Sequence, residues 1–568
     1  LTSGSYRYKT RPWEMSHAST VCTHCGDGCK VSLGVRATAD GAEIVRADNR
    51  DKSGINGDFL CAKGRFGFDF VESPERLTQP LVRNASGKLE PATWDHALRY
   101  AAGKLKEIRD TRGGSAIGVI GSNRTTNEEN FLLQKFARTV LTTNNIDHER
   151  TADYAAFSQA MASHNGLAAS LADTLTAPAI LLIGGNPTEE HPLLAWNLRT
   201  NVRLNNSRLY VANAESIKLE RQARATLRLE ANGYTQLTSL LSDGSDFAKS
   251  VREEESLLVL FGQEIRGASV KTLIDWGIVR GHTKFACLGD FSNSRGAADM
   301  GLLPDFLPGY TPLAQPGNFA AEYPGFPSQP GLSLPQMRDA LTQQTLTALL
   351  VVGADPVTRH GFDPASLRNT FTIVQDIFLT PTAAIADVVF PAASLYEKSG
   401  TVTNTFGDVQ LVRKAADRPG VKSDFEILVR LAGAMGVDVK TLVPFGKNAV
   451  TADLGQSRGA QAGEADRHGV WLAANGLEPK LSPFDVLATL DEIERLVPSY
   501  RLDRLSLFAG NHTSVEPGFV PVSALSGADL ITPAHDNLFT SGALGRYSSS
   551  LQDLKRHQSA EAAAAVAD

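Results

Sequence analysis

Cysteine is scarce in this chain, with five in 568 residues. That is too few for the disulfide framework of a small secreted domain, so a disulfide pair is the poorest account of them. Long apolar stretches are missing as well. No run reaches eighteen apolar residues and no charged-then-apolar leader is present, so neither a membrane-spanning helix nor an export signal is expected. A cytoplasmic protein with reduced thiols is the expectation. Charge of one sign is also lacking: 56 Lys plus Arg against 62 Asp plus Glu leaves a net charge of -6. With the two signs unsegregated along the chain, nothing suggests a basic surface for nucleic acid or an anionic membrane. Finally, no G-x-G-x-x-G occurs at any glycine-rich strand end, and a Rossmann dinucleotide site is unsupported.

What is present is concentrated near the start. Cys22, Cys25 and Cys29 lie in CTHCGDGC, and Cys61 lies in FLCAKGRF. A close C-x2-C-x3-C group with one remote partner lets a loop wrap three corners of a cubane while a later segment closes the fourth, which is how proteins hold a 4Fe-4S cluster. Gly26 and Gly28 suit a backbone folded closely around sulfide. Structural zinc is the alternative, although it usually takes two paired knuckles where this chain offers one. With four thiolates available, His24 is expected beside the ligands or exposed. Cys287 stands alone and reads as a small buried hydrophobe.

The rest of the chain, long enough for about three or four domains, follows a recurring pattern. Residues 21 to 48 alternate apolar and polar in hairpin fashion. TWDHALRYAAGKLKEI then places Ala97, Leu98, Ala101, Leu105 and Ile108 at helical spacing behind Thr93 and Asp95. AIGVIG, ILLIGGNP, SLLVLFG, KFACLG and ALLVVGADP are short uninterrupted apolar runs between amphipathic helices, the mark of a parallel sheet covered on both faces. Each glycine-rich strand end, taken singly, reads as a tight turn without ligand. Eight prolines between residues 301 and 335 predict a long crossover or surface loop between two lobes. The final SAEAAAAVAD is an alanine-rich tail with no assigned role.

Several long motifs resemble the molybdopterin oxidoreductase superfamily, which includes formate dehydrogenase catalytic subunits. They are CTHCGDGC with FLCAKGRFGFDF, SNRTTNEENFLLQKFARTVLTTNNIDH, LLIGGNPTEEHP, VVGADP and IADVVFPAASLYEKSGTVTNTFGDVQLVRKA, in order from about residue 20 to about 430. Within it, LTSGSYRYKTRPWEM and LFTSGALGRYSSSLQDL are most similar to the G-type iron-sulfur subunits of the proton-pumping NADH:quinone oxidoreductase, respiratory complex I.

The resemblance implies an α/β fold with an N-terminal 4Fe-4S domain and doubly wound parallel-sheet lobes of the formate dehydrogenase domain 1-3 type. Residues 1-20 would be a linker from a missing upstream ferredoxin-like region carrying a 2Fe-2S and further 4Fe-4S clusters. Residues 21-75 would be the cluster domain. Residues 76-150 with 336-440 would form one discontinuous lobe, 151-335 a second, and 441-568 a C-terminal segment. The implied partners are the flavin and hydrophilic iron-sulfur subunits of the peripheral arm. The chain would meet the inner face of a bacterial plasma membrane only through the assembled complex, and would have no catalytic residue of its own.

Departures from the enzymes are equally specific. Where formate dehydrogenases carry a cysteine or selenocysteine ligand to molybdenum, this chain continues HERTADYAAFSQAM, in which Tyr154 and Ser158 offer no soft ligand. After residue 430 little strand pattern replaces the enzymes' β-barrel. No molybdenum cofactor is therefore expected. Lys63, which in the enzymes lies between cluster and pterin, is expected here as a nearby cation that steadies an anionic cluster and raises its potential, with Arg65 in support. Two alternatives remain open: a formate dehydrogenase-like subunit with pterin at Gly184 to Pro187 and Gly353 to Pro356, and a zinc-stapled scaffold.

Overall fold

In the computed structural model, residues 4-38, 41-49, 52-164, 166-230, 233-443, 486-516, 531, 537 and 539-557 are described. The uninterrupted apolar runs become central strands. Ala179–Ile183, Leu257–Phe261 and Ala348–Val352 are buried at every position, because helices or loops cover both faces of their sheets.

Two sheets carry the α/β body. One has five parallel strands in the order Ala225–Arg228, Arg208–Asn213, Ala179–Ile183, Leu257–Phe261 and Thr283–Cys287. The other runs Leu89–Pro91, Leu81–Arg83, Val388–Pro391, Phe371–Asp376, Ala348–Val352, Ile117–Gly121 and Ile146–His148. Its last five strands are parallel and its first two form an antiparallel edge. This sheet draws its strands from two stretches separated by the whole of the first sheet. In each sheet the chain order reverses beside a central strand, next to Ala179–Ile183 and next to Ile117–Gly121, and such switch points open crevices at the carboxyl ends of strands. A third, antiparallel sheet, Met15–Val21, Lys30–Thr38 and Gly41–Asp48, stands at the N-terminal end.

The helices show where local pattern suffices and where it does not. Trp94–Arg112 starts at Thr93, whose hydroxyl accepts from the His96 amide, and buries Ala97, Leu98, Ala101 and Leu105. Asn127–Lys135 starts with a reciprocal Thr126/Glu129 capping box, but all nine of its residues are buried. Its polar side is matched by distant groups: Glu128 accepts from Thr401, Gln134 donates to Tyr323, and Lys135 pairs with Glu492.

The proline-rich segment is the expected crossover between the two sheets, and residues 314-331 lie mostly at the surface, but residues 301-313 do not. Phe306, Tyr310, Phe319 and Tyr323 are buried, and the polar backbone between them is satisfied from inside. The fully buried Arg138 donates to the carbonyls of Gly301, Leu303 and Phe306 at 3.1, 2.8 and 2.7 Å. Aromatic side chains pull the segment inward, and one guanidinium makes that burial tolerable. Arg138→Leu is therefore expected to cost about 3 kcal/mol or more, because three carbonyls lose their donor at once; chemical denaturation of the two chains measures it.

The C-terminal stretch is also more structured than its pattern suggests. Val486–Leu496 is a helix, and His512–Ser514 adds a strand to the pair Gly400–Thr403 and Asp408–Val412. Ser548 and Ser549 donate to the carboxylate of Asp69 in the N-terminal region. The alanine-rich tail lies outside the described residues.

Candidate functional site

The N-terminal sheet presents the first three cysteines in the loop between Met15–Val21 and Lys30–Thr38. The Cys22 amide donates to the Cys29 carbonyl at 2.8 Å and closes the loop at its base. Gly28 has φ +73°, and a side chain at Gly26 would lie 1.9 Å from the Gly289 carbonyl oxygen, so at Gly26 the loop meets the body of the protein backbone to backbone. Distant side chains hold it. Gln410 donates to the Gly28 carbonyl at 2.7 Å and Arg124 to the Thr23 carbonyl at 2.7 Å.

The fourth thiol arrives from the other direction, with Cys61 at the start of the short helix Ala62–Phe66. All four thiols, with Asp27, Phe59, Leu60, Gly64, Pro192 and Leu193, line one cavity, and none is in a disulfide. Burial pushes the Cys22 thiol up to about 12 and raises the other three as well. Left to themselves, such groups stay neutral. To act as thiolates they need compensating positive charge inside the cavity, which iron supplies. Lys63, 1% exposed, lowers Cys22, Cys25 and Cys61 through its charge. Four free thiols lining one cavity, three from a single loop and one from a later segment, are the donor set of a tetranuclear cluster.

Three further residues singled out in the sequence have these places. Cys287 is fully buried at the end of Thr283–Cys287, as a small hydrophobe. Arg65 lies half-buried in the helix that follows Cys61. His24 is buried in the cysteine loop beside the ligands, the first of the two places expected for it, with its Nδ1 2.9 Å from the hydroxyl of Ser541 in the C-terminal stretch.

A further group escaped sequence reasoning. Asp27 accepts from the Leu193 amide at 3.0 Å and lies 3.1 Å from His191 Nδ1, while His191 Nε2 is 3.7 Å from Asp290. Burial alone would lower His191, but Asp27 and Asp290 outweigh it and raise the imidazole to about 10. The Asp inside the cysteine loop and the His-Pro that opens Pro192–Asn205 were the available clues, though nothing local joins them.

The strand ends test the fold's other implied cofactor. After Ala179–Ile183, the Gly185 amide donates to Glu264 at 2.8 Å and the Asn186 amide to Glu190 at 2.7 Å. Burial pushes Glu264 up to about 7 and raises Glu190, with Asp290 adding repulsion. A dinucleotide's diphosphate would have to displace both carboxylates from the amides it needs. This turn does not fit it.

At the switch point of the seven-stranded sheet, a cavity of about 100 Å³ lies beside Ser122 and Gly353. The four cations that line it are already engaged: Arg124 with the Thr23 and His24 carbonyls and the Ser541 hydroxyl, Arg359 with Glu149, Arg546 with Asp355, and Lys398 with Glu129 and Asp424. No cysteine lines it. Tyr154 is buried with its hydroxyl 3.1 Å from that of Thr405.

Comparison with known proteins gives the chain's family. The family model described as molybdopterin oxidoreductase matches residues 76-434, and that of the molybdopterin oxidoreductase Fe4S4 domain matches residues 15-73, a span that holds all four cysteines. A G-type NADH-quinone oxidoreductase subunit of Rhizobium meliloti (strain 1021) is 33% identical over 466 residues, covering 73% of this chain and 53% of that protein. The F420-dependent formate dehydrogenase subunit alpha of Methanocaldococcus jannaschii is 32% identical over 488 residues, covering 74% of this chain and 71% of that protein. The chain thus spans about half the length of the first relative. Among solved structures, acetylene hydratase from Pelobacter acetylenicus matches with a TM-score of 0.53 at 15% identity, covering 79% of this chain and 73% of that one. At that identity it shows the shared fold alone.

Proposed function

The chain belongs to the molybdopterin oxidoreductase family, and from that premise we propose that it serves as an iron-sulfur subunit in the peripheral arm of a proton-pumping NADH:quinone oxidoreductase. Cys22, Cys25, Cys29 and Cys61 hold one 4Fe-4S cluster, and the scaffold works without molybdenum. The observation that carries this reading is the contrast between two sites: four free thiols ring one cavity, while Glu264 and Glu190 occupy the amides of the strand end.

A bound cluster supplies one-electron chemistry. The chain's own residues hold it, keep water from three of its ligands, and set its charge. Lys63 is the tuning residue, its buried ammonium favouring the reduced, more negative state. The lobes, 76-150 with 336-440 and 151-335, brace the arm beside flavin and iron-sulfur subunits, on the inner face of a bacterial plasma membrane. Among the described residues no helix is long and apolar enough to cross a membrane, which suits contact with the membrane through the complex.

The formate dehydrogenase relative, of similar identity, supports the competing reading of a catalytic molybdenum subunit. An affinity-tagged chain isolated from detergent-solubilised membranes of its host separates the two. Co-isolation of an NADH-oxidising flavoprotein with quinone reductase activity is expected. Formate oxidation accompanied by molybdenum would overturn the proposal.

A further inference from the structure

The cavity of the four thiols has three thick sides and one thin one. Cys22, Cys25 and Cys29 are 5%, 7% and 6% exposed, whereas Phe59, Leu60 and Cys61 all reach partly to the surface. On that side Phe59, a wall of the cavity, packs against Trp196 with ring centroids 5.7 Å apart. Trp196 is 44% exposed; what distinguishes it is that its ring continues the aromatic wall of the cavity out to the surface. It rides on Pro192–Asn205, the helix whose first residues, Pro192 and Leu193, line the same cavity.

Helical spacing sets Arg199 and Arg203 at three and seven residues from Trp196, on its face of the helix. Arg199 donates to the Thr188 hydroxyl at 3.0 Å and Arg203 is exposed; among the described residues neither has a carboxylate partner. The acidic neighbours in sequence are already balanced, Asp58 by Lys52 and Glu189 by Lys218. An exposed tryptophan flanked by arginines is also the composition that dominates binding energy at protein interfaces.

We propose that this face is the docking site of an acidic one-electron carrier protein, with Trp196 as the central contact and Phe59 between it and the cluster. The inference rests on the reading that the four cysteines hold a cluster. One electron passes between carrier and cluster, the one oxidised as the other is reduced, and no bond or proton moves. Arginine charge attracts the acidic carrier and orients it, so that a small contact suffices for a brief encounter.

The test uses the full chain, purified anaerobically, with a plant-type 2Fe-2S ferredoxin as the acidic probe and cytochrome c as the basic control, both followed by calorimetric titration. Ferredoxin is expected to bind more weakly as salt rises. Trp196→Ala and the double variant Arg199→Glu/Arg203→Glu should each raise its dissociation constant about tenfold or more, with iron content and cluster potential unchanged. Arg199→Lys/Arg203→Lys should restore most of the binding. Four irons per chain with no ferredoxin binding, equal binding by the double variant, or self-association of the chain abolished by Trp196→Ala would overturn the docking face alone. A chain without iron would overturn it together with the cluster reading.

Discussion

Replacing Lys398 with methionine is expected to destabilise the protein by about 3–5 kcal/mol at pH 8, and by clearly less at pH 6. The Lys398 ammonium is 2.8 Å from Glu129 and 2.9 Å from Asp424, and all three side chains are at most 5% exposed. Two buried carboxylates are tolerable because one cation sits between them. Burial pushes Asp424 up to about 6 even with Lys398 opposing it. A carboxyl raised in the folded state holds more protons folded than unfolded, so its contribution to stability falls as pH rises through that value. Without the ammonium the largest opposing influence is gone, and Asp424 stays protonated to higher pH. The deficit of the variant should therefore shrink on acidification from pH 8 to pH 6, as read from denaturant melts at both. A pH-independent deficit would mean that the stem of Lys398 matters and its charge does not.

Cys61→Ala is expected to cost several kcal/mol in stability and nearly all of the bound iron. The size of the loss is the informative part. Cys61 is only partly buried, so deleting one sulfur there should by itself cost roughly 1 kcal/mol or less. Any larger loss reports a bond to metal, because metal-binding energy appears as folding energy. Cys287→Ala is the matched control. That thiol is fully buried, and its removal should cost about as much as a small cavity while leaving iron untouched. Thermal melts and iron assays of the three chains distinguish these outcomes. If a properly assembled Cys61→Ala complex lost NADH oxidation outright, the cluster would be a conductor on the main path and not chiefly a stabilising element.

Parts of this protein were legible because their causes are local. The cysteine loop is readable since ligand spacing is written in eight consecutive residues, and Ala179–Ile183 or Leu257–Phe261 because a strand buried on both faces needs an unbroken apolar run. The polar side of Asn127–Lys135 was not readable, since a helix with Glu128, Glu129, Gln134 and Lys135 on it looks solvated. Its partners Thr401, Tyr323 and Glu492 stand 273, 189 and 357 residues away. The first part of the proline-rich stretch misled for the same reason, with Arg138 supplying the donors from outside it. At the candidate site, the thiols were visible and the carboxylates were not. Glu264 caps an amide 79 residues away, and only the fold brings the two together.

The central claim is that Cys22, Cys25, Cys29 and Cys61 hold a cluster on a scaffold that works without molybdenum. Metal analysis of the anaerobically purified chain, with iron, molybdenum and zinc counted against protein and low-temperature electron paramagnetic resonance of the reduced sample, tests it most directly. The account predicts about four irons per chain, a reduced tetranuclear signal, and no molybdenum. About one molybdenum with extractable pterin, or one zinc without iron, would contradict it.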